Sequence, residues 1–225
     1  MAHSIIFLKY GRVPYTNILE VQRRFFSRRI SGEIPDICLM TTHEPTITLG
    51  KGTTNPEQFR QSRYFKQRCI PVVKTDRGGD VTYHGPGQIV LYPIFDLSNF
   101  KKDVGWFVRK LESTMEKTAE TFGVPVEIKP DYPGLWVKNE GKKIGSVGLR
   151  LKKWVSMHGL SLNVDLDEDK ASLIQPCGLK GVDYASLNDY AEIESGEVEE
   201  RLLENFQEQF EIKLEDGHGW KTNLD

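Results

Sequence analysis

A chain of 225 residues and 25.7 kDa fits one domain, or one domain with a small appendage, and is long enough to bury a large core. Hydrophobic residues make up 38% and charged residues 28%, which excludes wholesale disorder. The net charge of -2 and pI near 6.2 leave no global basic field to hold nucleic acid, although local basic patches remain open.

In chain order, His3 to Tyr10 predicts a first strand, ended by Gly11 and Pro14. Thr16 or Asn17 then caps a helix through Arg29, with Asn17 and Glu20 spaced as a capping box and Ile18, Val21 and Phe25 near helical period. Its other face carries Arg23, Arg24, Arg28 and Arg29, either a solvated face or a dock for an acidic partner. Asp36 to Thr42 reads as a strand with Cys38 as a small buried residue, His43 to Lys51 as a turn and a short strand, and Thr53 to Gln67 as mostly loop. Cys69 to Thr75 is another strand, feeding the glycine-rich run Arg77 to Gly87, and Gln88 to Phe95 is a buried strand behind it.

The apolar spacing of Val104, Phe107, Val108, Leu111, Met115, Ala119 and Phe122 predicts a helix over 103–122, with Gly123 at the C-terminal cap. Strands follow at Gly134 to Lys138, Lys143 to Lys153 and Val155 to Asp165. In the last, alternation puts His158, Leu160, Leu162 and Val164 on one face and Gly159, Ser161 and Asn163 on the other. Glu197 to Phe210 is a final helix, and the boundary is set at 214, with a tail over 215–225 expected to be disordered. Strands outnumber helices without regular interleaving, so the fold class is α+β, a single domain with a mixed, largely antiparallel sheet flanked by helices. Ile5 to Leu8 is too short for a signal peptide, no long apolar run suggests a membrane span, and three dispersed cysteines fit a reduced, cytoplasmic compartment.

Three groups carry possible chemistry. The run RGGDVTYHGPGQ delivers Arg77, Tyr83 and His84 on a permissive backbone, which serves a tight turn with a core histidine as well as it serves a ligand cradle. Lys143 opens a strand poor in bulk, at Gly145, Ser146 and Gly148, where a desolvated amine can act as a base; a lysine beside a turn is ordinarily solvated. Cys177, between Pro176 and Gly178, can present a thiolate if a cation lies near, or can be inert.

RGGDVTYHGPGQ, then KIGSVGLRL with SMHGLSLNV, then PCGL, in this order, resemble the lipoyl(octanoyl) transferase family from the first strand to about Tyr190. The resemblance implies a fold related to the catalytic domains of biotin and lipoate protein ligases. It implies that Cys177 is the nucleophile that becomes an acyl thioester and that Lys143 lowers its pKa and serves as the base. It implies that Arg77, Gly78, Gly79, Asp80, Val81, Thr82, Tyr83 and His84, with Ser146, Val147, Gly148, Gly159, Leu160 and Ser161, line the acyl and substrate pocket. The implied partners are octanoyl-acyl carrier protein as donor and, as acceptors, lipoyl domains of 2-oxoacid dehydrogenase E2 subunits and the glycine cleavage H protein. No ATP, metal, nucleic acid or membrane is expected, because the thioester arrives activated on the carrier's phosphopantetheine. The competing readings are an ATP-dependent lipoate or biotin ligase, which has no use for Cys177, a thiol hydrolase using Cys177 with His84 or His158, and a non-catalytic binding module.

Overall fold

The computed structural model describes residues 3–54, 56–61, 65, 67, 69–172, 174 and 182–220. Within them the periodicities above become β1 (His3–Val13), α1 (Tyr15–Ile30), β2 (Ile37–His43), β3 (Thr46–Leu49), α2 (Pro56–Gln61), β4 (Val72–Lys74), β5 (Val81–His84) and β6 (Gln88–Ile94). Next come α3 (Val104–Thr121), β7 (Val126–Ile128), β8 (Leu135–Val137), β9 (Lys143–Lys152), β10 (Val155–Asn163), α4 (Glu168–Ala171), α5 (Ser195–Phe210) and β11 (Ile212–Asp216). None of these helices is long and apolar enough to cross a membrane.

The main sheet runs β11-β1-β2-β6-β10-β9-β8-β7, parallel where β1 meets β2 and β11 and antiparallel at the other pairings. A second sheet, β4-β3-β5, buries Ile47, Leu49, Val81 and Tyr83 in a separate small cluster with Ile70, Leu166 and Ala171. The mixed, mainly antiparallel α+β architecture follows the sequence expectation.

Helix α3 forms where its apolar stripe requires it. Asp103 caps its start by accepting the Trp106 N–H at 2.9 Å, and Gly123, at φ 74°, turns the chain so that the Val124 N–H reaches Ala119 O. Its buried Phe107, Leu111 and Met115 pack with Leu202, Phe206 and Phe210 of α5 on one face of the sheet. Helix α1 covers the other face through Ile18, Leu19, Val21, Phe25 and Phe26.

Several expectations change. Helix α1 starts at Tyr15, after Pro14, and its first turn has no side-chain cap, so the Asn17/Glu20 box does not form: Asn17 already lies inside the helix. β1 runs past Gly11 to Val13, its pairing with β2 shifting register between Lys9 and Arg12. The boundary at 214 falls inside β11, where Glu215 and Asp216 pair with Ile6 and Phe7, and a one-turn helix at His218–Trp220 brings Trp220 onto the α1 core. Three short strands, β5, β7 and β11, went unpredicted because their sequences are too brief or too charged to show a period.

Candidate active site

Between α1, the second sheet and the strands β6, β9 and β10 lies a cleft of about 350 Å³, counting its open mouth. Of the predicted pocket residues, Arg77, Thr82, His84, Ser146, Val147, Gly148, Gly159, Leu160 and Ser161 line it. Tyr15, Val90, Tyr92 and His158 join them. Gly78, Gly79 and Asp80 form the turn beside it. Val81 and Tyr83 face the core under the second sheet, because alternation along β5 sends Thr82 and His84 the other way.

Arg77 is buried, and its guanidinium donates to Thr48 O and Oγ1, both at 2.9 Å, and to Gly78 O at 3.0 Å. This binds the glycine-rich loop to β3. Gly148 gives that arginine room: a Cβ there would meet Arg77 Cδ at 3.2 Å, tighter than an ordinary contact. Gly159 serves backbone approach, since a Cβ would strike Leu91 O of the neighbouring strand. The small residues expected to leave space for a ligand thus partly make room for protein. The Gly78 N–H donates to Leu149 O at 2.7 Å, so this amide is not available to hold an oxyanion.

His158 departs from the alternation expected of it. Its backbone is left-handed, φ 64°, and its ring leaves the side of Leu160 and Leu162 to reach Asp76, bonding Nε2 to Oδ1 at 2.7 Å. Asp76 also pairs with Arg150. The hydrogen bond from His158, aided by Arg150, holds the Asp76 carboxyl down at about 2, and burial lowers His158.

A second histidine pair lies alongside. His43 bonds Tyr92 Oη through Nε2 at 2.7 Å, and burial lowers it to about 4. His84 is stacked on Tyr15 at 5.5 Å and sits edge-on to His43 at 5.5 Å, and burial holds it well below the ordinary histidine range. The three rings are neutral near pH 7. Asp76, His43, Tyr15, Tyr92 and Thr48 escaped the sequence reading. The one available signal was alternation in β2 and β6, which cannot show what stands opposite.

Lys143 lies at the start of β9, as its register suggested, with 1% of its surface exposed. Its Nζ donates to Pro133 O at 2.8 Å and sits 4.9 Å over the Trp136 ring. Glu112 approaches from α3, its Oε1 accepting the Gly134 N–H at 2.9 Å. The Lys143 backbone pairs with a returning segment: its N–H donates to Asp183 O at 2.8 Å and its C=O accepts from Ala185 at 3.0 Å. Cys177 lies outside the described residues, six positions before Asp183 in the sequence.

The basic residues of α1, and those at the end of β9, are partly engaged in ion pairs within the molecule. Arg29 pairs with Asp36 at 2.6 Å and with Asp96, Arg28 with Glu33, and Arg150 with Asp76 over the Phe26 ring. Arg23, Arg24, Arg28, Lys152 and Lys153 stay exposed.

Residues 14–207 match the family model for the lipoyl protein ligase A/B catalytic domain. An octanoyltransferase of Clostridium kluyveri is 36% identical over 203 residues, covering 90% of this chain and 86% of the relative. One from Chloroflexus aggregans is 41% identical over 178 residues, 79% of this chain and 80% of the relative. Among solved structures, the bipartite lipoate protein ligase of Thermoplasma acidophilum superposes with a TM-score of 0.73 at 15% identity, over 95% of this chain and 86% of that one.

Proposed function

This chain belongs to the lipoyl protein ligase A/B catalytic-domain family, and from that membership we propose that it is an acyltransferase. It moves an octanoyl group from octanoyl-acyl carrier protein to the lysine of a lipoyl domain through a Cys177 thioester. One observation carries the Cys/Lys dyad. The backbone of buried Lys143 is tied on both sides to the segment 183–185, which follows Cys177 closely in the sequence.

The chemistry balances without an external energy source. The Cys177 thiol passes its proton to the Lys143 amine, and the thiolate attacks the donor carbonyl. The C–S bond to pantetheine breaks, and that sulfur leaves with the proton returned by Lys143. Exchange of one thioester for another is nearly isoenergetic. The acceptor amine then attacks the Cys177 thioester, an amide forms, and the surplus amine proton passes to the Cys177 sulfur by way of Lys143. Burial of eight carbons at about 0.8 kcal/mol per methylene holds the acyl chain against the apolar parts of the cleft. No ATP or metal enters these steps. The acceptors in this reading are E2 lipoyl domains and the glycine cleavage H protein. The free thiols of Cys38 and Cys69 accord with a cytoplasmic setting.

Mass spectrometry after mixing with octanoyl-carrier protein tests the dyad. We expect an octanoyl adduct on Cys177, none in Cys177→Ala, and transfer to a lipoyl domain without ATP. An ATP requirement would replace this reading with a ligase, and an adduct surviving in Cys177→Ala would remove the nucleophile. In Lys143→Ala the thiol should react with iodoacetamide at higher pH than in the wild type; an identical pH profile would remove the lysine's role.

A further inference from the structure

A line of buried amides joins the cleft to the segment paired with Lys143. Asn163 Nδ2 donates to Ala185 O at 2.9 Å, so its Oδ1 is the atom that accepts from Gln88 Nε2, also at 2.9 Å. Gln88 Nε2 also points to Tyr83 O at 3.4 Å, which leaves Gln88 Oε1 facing His84 Nδ1 at 2.7 Å as an acceptor only. An amide oxygen can meet that nitrogen only if it carries a proton. Each member is buried, and flipping either amide would set donor against donor or acceptor against acceptor.

From this chain of hydrogen bonds we infer that Asn163 and Gln88 fix His84 as the Nδ1–H tautomer, so that its Nε2 lone pair seats an N–H donor of the bound substrate. Tyr15 covers one face of the ring and Nδ1 is engaged, so Nε2 is the atom left for the cleft. Among the described residues it makes no hydrogen bond of its own. Burial and the neighbouring His43, Arg77 and His158 keep the ring neutral, while Tyr15 and Tyr92 are phenols there. Resting on the octanoyl-transfer reading, the reaction offers two N–H sources, the acceptor lysine amine and an amide of the donor's pantetheine arm. The amine is the source assigned to the seat, and Arg77 in the same wall, by repelling an ammonium, holds it in the neutral form that can attack. His84 touches substrate in this scheme, whereas Gln88 and Asn163 are positioning residues.

The tautomer is read directly by long-range proton–nitrogen correlation NMR of the whole protein at about pH 7. Wild type should show His84 protonated on Nδ1 and bare on Nε2; the reverse tautomer or an imidazolium overturns the inference, whatever the enzyme does. Gln88→Leu should lose the tautomer preference; a Gln88→Leu protein that keeps the proton on Nδ1 would show that Gln88 does not set it. Single-turnover kinetics then separate the sources. Gln88→Leu should slow transfer from the acylated enzyme to the lipoyl domain about tenfold more than it slows acylation. Preferential slowing of acylation would refute the amine and assign the seat to the arm's amide. Equal slowing of both halves would leave Gln88 with a merely structural role and overturn the seat. Wild type that never acylates would end the transferase reading while the tautomer result still stands.

Discussion

Strands β6, β9 and β10 present one face to α3 and α5 and the other to α1 and the cleft, and the two faces are filled by different chemistry. On the first, Phe95 at the end of β6 meets Phe107, Phe206 and Phe210 at ring distances of 5.9 to 6.2 Å, and Phe206 and Phe210 lie 4.8 Å apart. Dispersion and apolar burial do this work without direction. On the second, Arg77, His43, His84, His158, Tyr15 and Tyr92 are buried only because each is given a partner or held neutral. The difference teaches a division of labour: the apolar face fixes the strands, and the cleft uses that rigidity to hold polar groups in orientations they would not keep in water.

Three substitutions or conditions test the contrast. Phe206→Ala, at the centre of the aromatic cluster, should cost about 3 to 5 kcal/mol of unfolding free energy in urea titration while folded molecules still acylate. Loss of acylation at unchanged stability would mean the apolar face reaches into the chemistry.

The histidines make an opposite prediction, about pH. In the unfolded chain they take up protons near pH 6.5, but in the fold all three are lowered, His43 to about 4. As pH falls below 6.5 the unfolded state binds protons that the native state refuses, so stability declines, for His43 until about pH 4. The slope is up to about 1.4 kcal/mol per pH unit for each histidine. Asp76, lowered to about 2, contributes above the ordinary carboxylate pKa and loses its contribution only below that window, so it does not mask the trend. Urea midpoints that stay level from pH 6.5 to 4.5 would contradict a cleft of buried neutral rings.

The smallest effect belongs to the apolar side. Asp103→Ala removes the α3 cap and should lower the urea midpoint by less than either change above, with no change in thiol reactivity.

What could be read from the chain alone was whatever its near neighbours encode. The four-residue spacing of Leu202, Phe206 and Phe210 gives α5, the stripe from Phe107 to Ala119 gives α3, and alternation gives β6, β9 and β10 with Lys143 at a strand's start. The order of three short motifs supplied the family. The tertiary structure alone decided that His158 and Asp76, 82 positions apart, would share a proton, and that His158 would leave its strand's alternation to do so. It also decided that the space beside Gly148 belongs to Arg77, and that residues 215–216 complete an edge strand. The reason is physical: periodicity records which side of its own element a residue takes, whereas partners across the fold are set by pairing register and packing, which no local window contains.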